Sequence, residues 1–391
     1  MSPSQREELI RHWPIVLAAA LGVGFGTMGI GFYSLGLYIK PVQAEFGWTR
    51  AQVSGAAMFQ QLGIFLSAPL VGRMVDRVGV RWLVLASYLA MPLALLAMSL
   101  AHPSVWQWYG LWLIISLAGG ATTPAVWARM VAARFDKARG LALGLMLVGT
   151  GLAAALVPAL LGPMFAADGW RQATRVMAGA SAEVGLALSL TMKQATPMAT
   201  RQIIAGRFEW NRPIGITLLI AFLVGVVVAG LIVHLVPMLV DRGMAPVSAA
   251  SMAASIGVAV IMARVVVGWL FDRFHAPYVS AAFMALPSLA CVLLLTGGPV
   301  LPAALMLGLA AGAEVDMLAF FTSRYAAMRN YGATYGVILG VFCLGAALGP
   351  SLFGVSVDTT GGYRAALIGS AVALVLVVVL IVRLGPYRTG E

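Results

Sequence analysis

Charged residues are scarce in this sequence. Asp, Glu, Lys and Arg together make up 10% of its 391 residues, whereas about 25% is usual for a soluble domain. A water-facing surface on a chain of this length needs far more charge. The scarcity therefore excludes a soluble enzyme, a disordered protein and a nucleic-acid-binding module, even though the net charge is +11.

Cysteine is also scarce, with only Cys291 and Cys343, and both lie in apolar runs. Neither a disulfide framework nor a cysteine-bound metal site is expected from them. The sequence also lacks the residue spacings of metal-dependent hydrolases, serine–lysine enzymes and phosphate-binding loops. We therefore expect no enzyme activity, no catalytic residue, no metal site and no cofactor.

Apolar residues dominate what remains, at 61% of the sequence, and the mean hydropathy is +0.93. Because strands with free edges cannot satisfy their backbone groups in lipid, we predict an all-α membrane protein with twelve transmembrane helices in two six-helix bundles. The predicted spans are 14–39, 50–74, 80–101, 105–132, 138–165, 171–192, 213–240, 246–271, 277–297, 300–324, 331–357 and 363–384.

The distribution of Lys and Arg predicts the orientation of the spans. With the N-terminus inside, the inner segments hold 18 of the 25 Lys and Arg residues and the outer segments hold six. The positive-inside rule then places both termini in the cytoplasm of a protein of the cell (inner) membrane. The first apolar stretch is too long for a signal peptide and is expected to stay as an uncleaved helix.

Two halves of the sequence resemble each other at a fixed offset. The residues of 72–77 match those of 268–273, and the residues of 140–144 match those of 336–340, in both cases 196 positions apart. Parallel repeats of six helices are typical of transporters. We predict an N-terminal bundle at 1–192, a polar cytoplasmic linker at 193–212 and a C-terminal bundle at 213–391.

The segment GRMVDRVGVR at 72–81 resembles the signature loop of the major facilitator superfamily between helices 2 and 3. The resemblance implies the major facilitator fold and a cytoplasmic charge cluster that acts as a gate. Asp76, Arg77 and Arg81 would be its gating residues, with Asp272 and Arg273 as their counterparts in the repeat.

A second resemblance covers most of the chain. GFYSLGLYIKPVQAEFGWTRAQVSGA at 31–56, RGLALGLMLVGTG at 139–151, DGWRQA at 168–173 and IMARVVVGWLFDR at 261–273 resemble monocarboxylate transporters and the related oxalate/formate antiporters. The resemblance places Arg264 at the family's substrate-binding arginine in the eighth helix. It also shows a departure, since Tyr33 and Val260 stand where proton-coupled members commonly carry a lysine and an aspartate.

Arg264 is the one cation that falls near the middle of a predicted span and belongs to neither the inner nor the outer segments. It lies eight residues before Asp272, which corresponds to about 12 Å of helix in a hydrocarbon layer of about 30 Å. An arginine at that depth is costly unless it is paired or faces water. Its planar fork suits a carboxylate, so we predict an anion-binding role, with a structural ion pair as the alternative.

Three carboxylates also fall inside predicted spans, namely Glu183, Glu314 and Asp316. Glu314 and Asp316 lie in the tenth span at nearly the depth of Arg264, whereas Glu183 belongs to the sixth span, which is peripheral in this fold. Two residues apart on a helix are about 200° apart, so only one of the pair is expected to face Arg264. A buried carboxyl group can carry a proton, and we predict that one of the two serves proton coupling.

A single deep cation indicates a monoanion as the substrate, such as lactate or pyruvate, moved with a proton. The partners expected for a monomeric chain are this anion, the proton and the bilayer, and no nucleic acid. The residues predicted to line a compact pocket around Arg264 are Phe32, Tyr33, Leu145, Phe320, Tyr331, Tyr335, Phe342 and Cys343. His234, near the outer end of the seventh span, is expected to be an interfacial residue.

Two alternatives remain. One is an exporter of drugs or other metabolites with the same fold and no anion site, for which Arg264 would be dispensable. The other is a polytopic membrane enzyme, which the missing catalytic spacings disfavour.

Overall fold

The computed structural model of the protein describes residues 3–191, 207–271 and 273–385, and these residues form helices and connecting turns without a strand. The predicted all-α fold is confirmed. The helices are α1 Pro3–Gly24, α2 Phe32–Phe46, α3 Arg50–Ser54, α4 Ala56–Val78, α5 Val80–Met98, α6 Val105–Ala118, α7 Pro124–Ala132, α8 Arg139–Ala167, α9 Gly169–Thr191, α10 Arg212–Asp241, α11 Pro246–Phe271, α12 Ala276–Thr296, α13 Val300–Tyr325, α14 Tyr331–Thr360 and α15 Arg364–Val382.

Ten helical segments in the described part of the chain are long and apolar enough to cross a membrane. The first is longer than predicted, because α1 and α2 join through a π-helical turn at Thr27–Gly31 into one segment, Ser4–Phe46. The interrupted pair α6 and α7 and the more polar helix α9 complete the twelve transmembrane helices.

The fourth predicted span, 105–132, is not one continuous helix in the structure. α6 ends at Ala118, a 3₁₀ turn covers Gly120–Thr122, and α7 restarts at Pro124. Two adjacent glycines weaken the helix at this point, and proline fits the first turn of the helix that follows. The Thr122 hydroxyl accepts a hydrogen bond from the backbone N–H of Thr27 (3.1 Å), so the breaks in the first and fourth spans are joined.

The chain separates into two compact units. The first comprises Met1–Gly47 and Phe59–Thr200, and the second comprises Trp48–Met58 and Arg201–Glu391. α3 and the first residues of α4 therefore pack with the second half of the chain. Of the predicted linker, 193–206 lies outside the described residues, while 207–211 precedes α10 without helical structure.

An aromatic cluster organises the first unit. The buried Tyr38 ring of α2 makes edge contacts with Trp108 and Trp112 of α6, with centroids 5.6 and 5.7 Å apart. Arg171 of α9 forms an ion pair with Glu45 at 2.6 Å, and its guanidinium also stacks on an aromatic ring, that of Trp170, 4.4 Å away. These contacts tie α2, α6 and α9 together.

Glycines allow close helix contacts in the second unit. A Cβ atom placed on Gly225 of α10 would lie 2.4 Å from the Phe342 carbonyl oxygen of α14. A Cβ atom on Gly345 or Gly349 of α14 would meet α10 carbonyl oxygens at 2.3 and 2.2 Å. Small residues of this kind let membrane helices pack at backbone distance, so α10 and α14 form the centre of this unit.

Candidate functional site

Arg264 lies in the membrane-spanning part of α11, where its side chain is half-buried. Its Nε atom is buried and has no hydrogen-bond partner. Among the described residues, no carboxylate lies within ion-pair distance of its guanidinium. A buried, unsatisfied guanidinium N–H is costly, so a group that supplied a hydrogen-bond acceptor to this N–H would be stabilising.

Two glycines bring α13 against α11 beside Arg264. A Cβ atom on Gly308 would lie 2.3 Å from the Ile256 carbonyl oxygen, and one on Gly312 would lie 2.6 Å from Ala263 Cβ. Only glycine permits this approach, because any side chain would force the helices apart. Since Ala263 precedes Arg264 and Gly312 precedes Glu314 by two residues, the crossing places Arg264 beside the acidic stretch of α13.

Glu314 and Asp316 are both half-buried on α13. Both carboxyl groups interact electrostatically with Arg264. The close crossing accounts for this, because at that separation charges on both flanks of α13 stay near α11. That only one of the two carboxylates faces Arg264 stays a prediction. The Oε2 atom of Glu314 is buried without a hydrogen-bond partner, so it is a second unpartnered polar atom.

α14 contributes a phenol and a thiol to the same cluster. The Tyr335 hydroxyl interacts electrostatically with Arg264 and Asp316, and the Cys343 thiol interacts with Glu314. Tyr331 stacks on Tyr335 with ring centroids 5.6 Å apart. The second unit thus brings together six of the residues predicted from the sequence: Arg264, Glu314, Asp316, Tyr331, Tyr335 and Cys343.

Other predicted pocket residues have different surroundings. Phe320 packs on Phe271 with centroids 5.0 Å apart and lies under the Arg324 guanidinium at 5.1 Å, and Phe342 packs against the core of the second unit. Phe32, Tyr33 and Leu145 belong to the first unit. There the Phe32 and Tyr33 rings meet edge to face at 5.3 Å, and Leu145 is 37% exposed.

The predicted gating arginines have aromatic neighbours. The Arg81 guanidinium lies 5.8 Å from the Trp82 ring, the Arg273 guanidinium lies 4.2 Å from the Trp269 ring, and Arg77 is exposed. The Asp76 side chain and the whole of Asp272 lie outside the described residues.

Sequence reasoning missed a polar cluster where α10 and α14 end and where α3 and α15 begin. All of it lies within the second unit. The Asp358 carboxylate of α14 accepts hydrogen bonds from the backbone N–H groups of Arg50 (3.1 Å) and Ala51 (2.9 Å), which begin α3. The Arg50 side chain forms an ion pair with Asp241 and lies 5.3 Å from the centre of the Tyr363 ring. A carboxylate at a helix N-terminus stabilises the helix by charge and by hydrogen bonding.

His234 is fully buried in this cluster. Its Nε2 lies 2.8 Å from the Pro350 carbonyl oxygen, and its Nδ1 lies 3.1 Å from the Tyr363 hydroxyl. The carbonyl oxygen only accepts, so Nε2 is the donor, and in a neutral ring Nδ1 accepts from the Tyr363 hydroxyl, which is protonated at neutral pH.

The described residues contain no group of three or more His, Cys, Asp and Glu side chains that could hold a metal ion. The site around Arg264 is therefore an arrangement of one cation, two carboxyl groups, two phenols and a thiol within transmembrane helices. Chemically, such an arrangement can pair with an anion through the guanidinium and can take up a proton on a carboxyl group.

The fold and this site define a polytopic α-helical membrane protein with a charged cluster inside its second helical unit. The sequence model of the Major Facilitator Superfamily matches residues 19–350, which is most of the chain. The protein belongs to this superfamily of membrane transporters.

Relatives of known name cover most of the chain at low identity. It is 26% identical to human "Monocarboxylate transporter 11" over 379 residues, which cover 90% of this chain and 79% of that protein. It is 25% identical to "MFS-type transporter 1" of Ophiocordyceps sp. (strain BCC 1869) over 390 residues, with coverage of 95% and 84%.

Solved structures with the same fold include a bacterial homologue of the human lysosomal transporter Spinster. In its inward-facing, occupied form the TM-score is 0.72 and the identity is 16%, over 98% of this chain and 97% of that one. The unoccupied form gives a TM-score of 0.71 at 17% identity, with 97% of each chain covered. At this identity the likeness shows the fold.

Proposed function

We propose that this protein is a secondary active transporter that carries a small monocarboxylate of the lactate or pyruvate kind together with a proton. The observation that carries the proposal is that Arg264 Nε and Glu314 Oε2 are both buried without a hydrogen-bond partner while the two groups interact electrostatically. A substrate carboxylate would satisfy the guanidinium, and a proton would neutralise the nearby carboxyl group. The names of the relatives, monocarboxylate transporter 11 among them, are consistent with this substrate class.

The charges of the cluster account for coupling. An anionic substrate next to an ionised Glu314 would be repelled, so protonation of that carboxyl group favours substrate binding at Arg264. Loading one anion together with one proton leaves the net charge of the site unchanged, whereas the anion alone would add a negative charge that is costly to enclose within the protein. We assign alternating access between two bundles as the transport mechanism, as is general for repeats of this type.

The cluster favours a short monoanion. Arg264 supplies the one guanidinium, and a dicarboxylate in a dry site would leave its second charge unpaired. The Tyr331 and Tyr335 hydroxyls are suited to a carboxylate oxygen or a 2-hydroxyl group. We propose Phe320, Phe342 and Cys343 as apolar lining of the site, while Phe32, Tyr33 and Leu145 stay predictions from the sequence.

The remaining sequence predictions belong to the same proposal. We place the protein in the cell (inner) membrane as a monomer with both termini in the cytoplasm, on the basis of its Lys and Arg distribution. Asp76, Arg77, Arg81, Asp272 and Arg273 would gate the cytoplasmic side, where a charge network can open and close as the bundles move.

Uptake into proteoliposomes tests the function. Radiolabelled lactate, pyruvate, oxalate and acetate are supplied with and without an inward proton gradient, to the wild type and to the Arg264→Ala and Arg264→Lys variants. We expect proton-stimulated uptake of a monocarboxylate that falls at least about tenfold in both variants, because losing one bidentate charge pair costs more than 1.4 kcal/mol.

The matched control is Arg175→Gln, since Arg175 is an exposed arginine of the first unit. Its uptake should equal that of the wild type. Full monocarboxylate uptake by both Arg264 variants would contradict the proposed anion site at Arg264. Efflux of amphipathic drugs by those variants would favour the exporter alternative.

A further inference from the structure

A cavity of about 790 Å³ lies at one end of the second unit, where α10 and α12 finish and α15 begins. These helix ends, at Asp241, Thr296 and Arg364, are the ones that the Lys and Arg distribution places on the outer side. The cavity is separate from the cluster around Arg264, and nothing in the proposed transport step uses it.

Three arginines line this cavity, and its one carboxylate is already neutralised. Asp241 is paired with Arg50, and Asp358, which does not line the cavity, accepts from the backbone N–H groups of Arg50 and Ala51. Three arginines therefore stand against two carboxylates, which leaves a positive surplus. Arg242 donates from Nη2 to the Leu294 carbonyl oxygen at 2.5 Å, which fixes the guanidinium without neutralising it. Arg364 is exposed and makes no hydrogen bond or ion pair with the described residues.

The start of α15 adds further positive potential. The helix runs for 19 residues from Arg364, and its N-cap residue, Tyr363, makes no side-chain capping bond. The N-cap side chain therefore leaves the first backbone N–H groups of the helix uncapped, and the first helical residue, Arg364, lines the cavity. Open N–H groups and the helix dipole favour an anionic oxygen at this position, and phosphate in particular.

Below the charged rim the cavity is apolar. Leu295 of α12 and Leu367 and Ile368 of α15 line it. The apolar wall continues along one face of α15 outside the cavity, because Ile368, Val372 and Val375 are 46%, 66% and 55% exposed and lie at helical spacing. A charged rim over a long apolar face matches a molecule with an anionic head and a hydrocarbon chain.

We propose that this cavity binds the phosphate headgroup of an anionic phospholipid, with the acyl chain along Ile368, Val372 and Val375. Arg364 and Arg242 hold the phosphate at the start of α15. A soluble anion would use the rim alone, whereas a phospholipid uses the rim and the exposed face of α15. An anionic lipid is preferred over a zwitterionic one because the rim carries a net positive charge.

Native mass spectrometry of the purified full chain in nonionic detergent tests the proposal. Dioleoyl phosphatidylglycerol, dioleoyl phosphatidylcholine and inorganic phosphate are the probes, and Arg364→Gln and Arg242→Gln/Arg364→Gln are the variants. We expect the wild type to retain phosphatidylglycerol at least about fivefold more tightly than phosphatidylcholine, and each lost arginine to reduce the preference by about fivefold. Arg175→Gln should bind as the wild type does.

A second variant tests the proposed position of the acyl chain along the exposed face of α15. Val372→Gln should weaken retention of dioleoyl phosphatidylglycerol but leave binding of the short-chain dihexanoyl lipid unchanged. Equal binding of the two dioleoyl lipids, or wild-type preference in the double arginine variant, would overturn the proposal. Displacement of the lipid by millimolar inorganic phosphate would overturn it too, since the cavity would then serve a free anion. None of these outcomes bears on transport through Arg264.

Discussion

The Arg264 guanidinium of α11 interacts electrostatically with the Glu314 carboxyl group of α13, yet Arg264 Nε and Glu314 Oε2 both lack a hydrogen-bond partner. A structural ion pair would satisfy these atoms with each other, because unpaired buried groups are costly. The two residues are instead close enough to sense each other's charge while these two buried atoms stay without a hydrogen-bond partner. This relationship underlies the proposed coupling of substrate and proton.

Glu314→Gln should separate proton coupling from substrate exchange. The amide keeps the shape of the side chain but neither binds nor releases a proton. We expect accumulation of lactate driven by an inward proton gradient to fall at least about tenfold, while exchange of internal for external lactate at equal pH continues. Uptake into proteoliposomes with and without a pH step measures both.

Asp316→Asn is the matched control for this test, because Asp316 also interacts with Arg264. Of these two carboxyl groups, only that of Glu314 has a buried oxygen without a hydrogen-bond partner. The control should retain gradient-driven accumulation. The reverse pattern, with accumulation intact in Glu314→Gln and lost in Asp316→Asn, would identify Asp316 as the proton carrier and contradict our assignment.

Gly312→Ala should destabilise the second unit. The new Cβ atom would lie 2.6 Å from Ala263 Cβ and 2.7 Å from the Val260 carbonyl oxygen, so α13 must move away from α11. Overpacking of this kind costs about 1–3 kcal/mol, and a thermal unfolding assay in detergent should show a lower midpoint. The control is Gly268→Ala in α11, where a Cβ atom would meet nothing within 4 Å, and an equal loss there would contradict the argument.

Counting along the sequence was enough to predict that Arg264, Glu314 and Asp316 lie inside long apolar helices, because runs of this length are typical of membrane-spanning helices. It could not predict which helices cross closely. The approach of α11 to α13 depends on Gly308 and Gly312, and glycine is common throughout this chain, with 44 residues. The close packing of these two helices was therefore not predictable.

Two further features were not predictable from local pattern. The break between α6 and α7 falls at Gly119–Thr123, an uncharged stretch that reads as part of a continuous apolar span. The contact between Arg50 and Asp358 joins residues 308 positions apart. Such long-range pairs leave no periodic signal in one sequence, so Arg50 and His234 were interpreted only from their place near the span ends.

Asp358→Asn should loosen the segment Trp48–Met58. The carboxylate accepts hydrogen bonds from the Arg50 and Ala51 N–H groups, and losing a capping interaction costs about 1 kcal/mol. In a variant with Cys291 and Cys343 replaced by Ser, a cysteine at buried Val53 reports exposure through its rate of maleimide labelling. We expect the rate to rise by about fivefold, since that free energy changes an opening equilibrium by this factor.

Thr359→Ala is the control for this measurement, because the Thr359 hydroxyl bonds only to backbone carbonyl groups of its own helix. Its labelling rate should match that of the parent. Unchanged labelling after Asp358→Asn would mean that the segment is held by its other contacts and that the carboxylate contributes little.

Glu209 provides a test of which group sets the pH dependence of transport. It precedes α10 and lies outside the spans. The Ala327 N–H and the Asn330 side-chain amide donate hydrogen bonds to its Oε2 at 2.9 and 3.1 Å. These bonds hold the pKa of Glu209 below its ordinary value of 4.5. A lowered pKa means that the stabilising contact is fully present above pH 4.5 and is lost only as the pH falls through the lower folded-state value.

Glu209→Gln should therefore leave the pH profile of uptake unchanged between pH 5 and 8, a range in which Glu209 stays ionised in the wild type. Hydrogen exchange at the Ala327 amide should become faster in this variant, because a neutral amide oxygen is a weaker acceptor than a carboxylate. Uptake profiles recorded in parallel for Glu209→Gln and Glu314→Gln make the comparison direct. A shifted profile in Glu209→Gln, with the profile of Glu314→Gln unaltered, would place the coupling group outside the membrane-spanning cluster.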